Sequence, residues 1–147
     1  MSQQYAVTLE FTSQSHLLTA LCALGWKRNE IEVHATPQQV LMIFGHPSLN
    51  EDGTPMMAEI IIRAKHVGGA SSDLAFRKTK AGTWEALISA YDKQATGRFG
   101  PYNDAFLGRL KQQHGLAKAT AQYRAKGFRR VQAETDKDGY IHMKAWR

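Results

Sequence analysis

The segment Glu59-Ile60-Ile61-Ile62-Arg63-Ala64 constrains the fold more than any other part of this 147-residue chain. Successive side chains of a strand point to opposite faces, and here the run is apolar and β-branched on both, which predicts a central strand of a sheet. Other strands are spelled out around it. Tyr5, Val7, Leu9 and Phe11 alternate with small or polar residues, as in a half-buried strand. Leu74 to Arg77 and Trp84 to Ile88 flank Lys78-Thr79-Lys80-Ala81-Gly82, a hairpin with a basic, exposed tip. Ile31 to His34 and Val40 to Phe44 flank Ala35-Thr36-Pro37-Gln38-Gln39 and predict a further hairpin. Near the C-terminus, Phe128 to Thr135 and Tyr140 to Trp146 enclose Asp136-Lys137-Asp138-Gly139, whose Asp-Gly pair marks a hairpin turn.

Two helices are expected between these strands. Ser13 or Ser15 caps the first, with Leu17, Leu18, Leu21 and Leu24 as its inward stripe and Gly25 as its stop. Asn103 or Asp104 caps the second, whose Phe106, Leu107, Leu110, Leu116, Ala119 and Tyr123 recur at helical spacing up to Gly127, with a bend or break expected at Gly115. A weak internal repeat sets residues 13–44 against 115–146, so that Gly25-Trp26-Lys27-Arg28 falls on Gly127-Phe128-Arg129-Arg130. The expectation is an α+β fold: an antiparallel sheet shared by two similar units, two helical segments packed on one face, and a weak pseudo-duplication. Both aromatics that follow the glycines are expected to anchor the core. The length suits one domain over residues 1–147, and Gly68-Gly69-Ala70-Ser71-Ser72 is expected to be an ordinary connection within it.

Composition narrows the setting. No apolar run approaches the roughly 20 residues needed to cross a bilayer, and Met1-Ser2-Gln3-Gln4-Tyr5 lacks a basic and then apolar leader, so a soluble, cytoplasmic protein is expected. The single cysteine, Cys22, lies in an apolar stretch and is expected to pack as a small hydrophobe. The net charge of +6 is unevenly spread: residues 1–60 carry two basic and six acidic side chains, residues 61–147 seventeen and seven. Such a chain suits an acidic protein or nucleic acid as partner, although solvated surface charge is the simpler origin.

The residues that carry chemistry do not converge. His16, His34, His46, His66, His114 and His142 are scattered without metal-ligand spacing, so no metal is expected. Thr96-Gly97-Arg98-Phe99-Gly100-Pro101 lacks the ending of a phosphate-binding loop and the spacing of a dinucleotide fingerprint, so no cofactor is expected. Asp73, Glu85 and Asp92 are the carboxylates that the second hairpin could gather into an acid-base pair, but no catalytic motif accompanies them. A non-catalytic protein is therefore expected.

Binding is the more economical reading. The connection from Tyr91 to Tyr102 offers Tyr91, Arg98, Phe99 and Tyr102, and the helix beyond it adds Arg109 and Lys111, the mixture of aromatic and basic residues in which interfaces concentrate their energy. The competing expectation is that Phe99 and Tyr102 fold back over the end of the sheet. Nucleic acid is the alternative partner, held by the basic C-terminal half, though no recognition signature supports it. Unpaired sheet edges also leave room for a homo-oligomer.

Asp73-Leu74-Ala75-Phe76, Trp84-Glu85, Phe106-Leu107-Gly108-Arg109-Leu110-Lys111-Gln112, Lys126-Gly127-Phe128, Asp138-Gly139-Tyr140-Ile141 and Trp146 together resemble the uncharacterised family typified by the hypothetical chloroplast reading frame 35 of algae and cyanobacteria, domain of unknown function 1257. The resemblance covers residues 70–147, and His46 to Met57 looks like an insertion. It implies a small protein without assigned activity. Bacterial members are often encoded near ATPases of the MoxR type, which implies an accessory role in an AAA+ ATPase-linked assembly. No residue inherits a catalytic role from it.

Overall fold

The computed structural model describes residues 4–68 and 72–147. Five strands form one antiparallel sheet in the order β1-β5-β4-β3-β2: β1 is Gln4–Thr8, β2 Glu32–Gln39, β3 Met57–Ile62, β4 Leu74–Lys78 and β5 Trp84–Ser89. The triple isoleucine lies in β3, inside the sheet. Its alternation divides it between two cores, because Ile60 and Ile62 point to one face and Ile61 to the other.

Helices α1 (Gln14–Leu24) and α4 (Asp104–Ala125) pack together on the first face, as an α+β layer arrangement requires. Ser13 caps α1 by accepting from the His16 N–H, and Gly25, at φ 131°, stops it. Asn103 caps α4 by accepting from the Ala105 and Phe106 N–H groups. Contrary to expectation, α4 runs through Gly115 without a break, since good helix formers flank that glycine on both sides. Cys22 is exposed rather than buried. The inward stripe of α1 is Leu17, Ala20 and Leu21, and one residue further the helix has turned by about 100°.

The second face is covered by irregular chain. Val40 and Met56 close over Ala58, Ile61, Ala75 and Leu87, and the connection between them is tied by Val40 N–H to Met56 O, Ser48 N–H to Val40 O and Met56 N–H to Ser48 O, each within 2.9 Å. The hairpin expected over residues 31–44 is therefore absent. Thr36-Pro37-Gln38 continues β2 as an extended, bulged edge strand against β3, where a proline without an N–H is tolerated. The segment lacks the Gly, Asn or Asp that a tight turn needs, and the β-branched β3 is the better partner. After β3, Ala64–Val67 forms the short helix α2. The connection expected at Gly68 to Ser72 has its residues 69–71 outside the described part.

The last hairpin, β6 (Arg130–Thr135) and β7 (Ile141–Trp146), turns at Asp136 to Gly139 as expected. It forms its own two-stranded sheet, so the two repeated units do not share one. The aromatics of the repeat diverge accordingly. Trp26 is core, with its Nε1–H donating to the His66 carbonyl, whereas Phe128 is half-buried and meets Tyr123 edge-on.

Candidate functional site

The loop from Ala95 to Tyr102 leaves the short helix α3 (Ala90–Gln94) and lies down against the body of the fold. Tyr102 is 1 % exposed; its hydroxyl donates to Val67 O at 2.7 Å and accepts from the Phe99 N–H at 3.3 Å. Phe99 is half-buried and meets Trp26 edge-on at 4.8 Å. Glycines permit this approach: a Cβ on Gly97 would lie 2.8 Å from Val67 O, and one on Gly25 2.6 Å from the Phe99 ring. Arg98 spreads over the Phe99 ring and pairs with Glu30 at 2.7 Å. That hydrogen bond, helped by the Lys27 N–H, lowers the Glu30 pKa to about 2.

The expected recognition loop thus needs correcting. Tyr102 is a core side chain, Phe99 packs on Trp26, and Arg98 is held by Glu30, because aromatic rings next to an apolar sheet end are more favourably buried than left in water. Tyr91, Arg109 and Lys111 remain at the surface, with Arg109 donating to Phe99 O and lying over Phe106. Within the glycine-rich stretch the Arg98 N–H donates to Val67 O and the Phe99 N–H to the Tyr102 hydroxyl, so these two amides are engaged by the fold.

The three carboxylates do not form an acid-base pair. Asp73, 3 % exposed, accepts from the Leu41 and Ala64 N–H groups and from Arg63; Glu85 pairs with Arg77; Asp92 accepts from Ser89. Each is fixed by its own partner. His34 bonds Glu32, and among the described residues no group of three or more metal-ligating side chains occurs.

What the chain does bring together is a C-terminal arm. Beyond His114, α4 carries no fully buried residue; Leu116, Ala119 and Tyr123 are half-buried, and the β6–β7 hairpin packs on them. Gln112 Nε2 donates to Gly139 O at 2.8 Å and joins hairpin to helix. Between them runs an apolar groove of about 310 Å³ lined by Gly115, Leu116, Gly139, Tyr140, Ile141 and Met143, with Tyr140 70 % exposed. The register puts Arg130 beside Trp146, Gln132 beside Lys144 and Glu134 beside His142 on the solvent side, and the Arg130 guanidinium lies over the exposed Trp146 ring.

Charge follows the same division. Residues 109–147 carry ten basic and three acidic side chains, whereas residues 1–108 carry nine and ten. Sequence alone shows the basic excess only as a property of residues 61–147 as a whole. Only the packing of α4 shows that it belongs to an arm. Phe44, expected in a strand, is 90 % exposed at φ 71°, at the tip of the turn closed by Met42 N–H and His46 O.

A family model described as a protein of unknown function (DUF1257) matches residues 45–143. The match begins about 25 residues before the span on which the resemblance was drawn, and it takes in the stretch from His46 to Met57. No curated protein and no solved structure matches the chain.

Proposed function

The chain belongs to the DUF1257 family, and we propose that it is a non-catalytic binding subunit whose C-terminal arm grips an acidic protein partner. The observation that carries this reading is the segregation of charge: a nearly neutral body supports an arm with seven more basic than acidic side chains. An apolar groove within the same arm supports a protein rather than a polyanion alone. Interfaces gain affinity from apolar anchors in desolvated grooves, while the surrounding charges supply orientation and specificity. A partner segment with one large apolar side chain and flanking carboxylates fits both features. An ATPase-linked assembly is the source of partner to which the family resemblance points.

The second reading is nucleic-acid binding. It is favoured by Trp146 and the Arg130 laid over it on a solvent-facing strand pair with Lys144, since exposed aromatics amid basic residues let bases stack and phosphates pair.

Affinity purification from the native host, with and without nuclease, separates the two readings. A stoichiometric protein that survives nuclease and is lost when Arg124, Lys126, Arg129 and Arg130 are changed to Glu is the expected result. A partner retained by that variant would overturn the arm as the contact surface. Nucleic acid that co-purifies, with all proteins lost on digestion, would favour the second reading.

A further inference from the structure

We propose that a cleft at the root of the arm, where α4 crosses the connection between β1 and α1, binds a small oxyanion of the phosphate class. The cleft measures about 340 Å³ and is lined by Leu9, Glu10, Phe11, Lys111, His114 and Lys118, with Gly115 in its wall. That size suits a small molecule and not a macromolecule.

Four features meet there. Lys111, His114 and Lys118 recur at three- and four-residue spacing, so they share one face of α4. The helix rise places the two lysine Cα atoms about 10 Å apart with the histidine between them, close enough for both flexible stems to bring their ammonium groups to one ligand. Among the described residues neither lysine has an ion pair. A dianion is the complement of two unpaired ammonium groups and an imidazole.

His114 itself is the second feature. It is 7 % exposed and its Nε2 has no hydrogen-bond partner. Its ring lies flat on Phe11, with centroids 3.8 Å apart and planes 3° from parallel, and the His16 ring meets it edge-on at 5.7 Å. A residue needed only to fill this stack would be apolar, because a buried ring nitrogen without a partner carries a desolvation penalty. The nitrogen is sealed as the ring stands, and a ligand in the cleft that the ring lines would satisfy it after a small turn of the ring.

Third, the space beside Gly115 is open: a Cβ there would meet nothing within 4 Å. Fourth, Glu10 is held at φ 61°, a left-handed conformation that a residue with a side chain adopts at a cost. The bulge around it bonds Leu9 N–H to Trp84 O and Trp84 N–H to Phe11 O, keeping both apolar neighbours buried and setting Glu10 in the lining of the cleft. A carboxylate beside two ammonium groups accepts from a hydroxyl or amino group, which makes a phosphate monoester of a small polar molecule the fitting ligand class.

The test is a titration of the full chain with inorganic phosphate, against chloride at matched ionic strength, followed by NMR of the histidine rings. A saturable shift of the His114 resonances, with His142 unmoved, is the expected result. Lys111→Gln with Lys118→Gln should weaken binding by roughly tenfold or more. His114→Phe keeps the stacked ring, removes both nitrogens and should weaken binding to a similar extent, with an unchanged near-ultraviolet circular dichroism spectrum establishing that the fold persists. A His114 ring that phosphate does not move, or a lysine double variant that binds as the parent does, overturns the proposal. The lysines are exposed, so their variants remain decisive even if His114→Phe fails to fold.

Discussion

Tyr102 and Val67 share a carbonyl that accepts twice, from the tyrosine hydroxyl and from the Arg98 N–H. Tyr102→Phe removes one of these bonds and leaves Val67 O satisfied by the other, and it also takes the hydroxyl acceptor from the Phe99 N–H. Denaturant unfolding should show a loss of about 1 kcal/mol and no change of slope. A loss near zero would mean that water replaces the hydroxyl. The sequence offered Tyr102 either as a recognition residue or as a cap on the sheet, and periodicity could not choose between them. The deciding contact is with a carbonyl 35 residues away, which no local pattern encodes. His114 makes a second prediction at this scale. Burial first, then His16 and Lys118, hold its pKa below the ordinary histidine value, with Lys111 and Glu10 the other charged residues in the same lining. The unfolded chain takes up a proton as pH falls through about 6.5 and the folded chain does not. The stability contributed by the neutral ring is therefore complete above that pH and lost below it. Between about pH 7.5 and about pH 5.5 the thermal midpoint should fall, and His114→Phe should flatten that fall relative to the parent. Equal slopes in the two proteins would remove His114 as a cause.

Among the elements, α4 is one helix with two environments. Its first half offers Phe106, Leu107, Leu110 and His114 to the core, and its second half offers Leu116, Ala119 and Tyr123 to a hairpin that covers them only in part. Leu110→Ala should destabilise by about 2–5 kcal/mol, as for a filled core position, and Leu116→Ala by less than about 1.5 kcal/mol. Equal losses at the two positions would show that hairpin and body form a single packed unit. The helical spacing of all these residues was legible from sequence, as were the Asp-Gly turn and each cap to within two candidates. Their partners were not, because a 3.6-residue period reports which face is apolar and says nothing of what lies against it. The same limit explains β2. Alternation marked Ile31 to His34 as a strand, yet only β3 could show that extension continues through Pro37. The isoleucine run was legible to the end, since a strand apolar on both sides has few places to go.

At the scale of the whole molecule, a nearly neutral body and a basic arm make an electrically lopsided particle. Association with an acidic partner should be faster at low salt, with the rate constant falling steeply as ionic strength rises and the dissociation rate changing little. Stopped-flow mixing with the purified partner checks this, and an association rate insensitive to salt would count against the arm as the leading surface. The α+β class, the antiparallel sheet and the two helices on one face were all readable in advance. The separation of β6 and β7 into their own sheet was not, because alternating strands look alike whether their neighbours are four strands or one helix. The strand order also bears on how the sheet is made. The segments β2 to β5 are sequential neighbours and can zip together in order, but β1 pairs only with β5, which joins Gln4 to Ser89 across most of the chain. Closing so long a loop is slow, so pulse-labelled amides of β4 and β5 should be protected before those of β1. Of these five strands the earliest made is then the last to find its place, and until it does the edge of β5 stays open to any other chain that can lend it a strand.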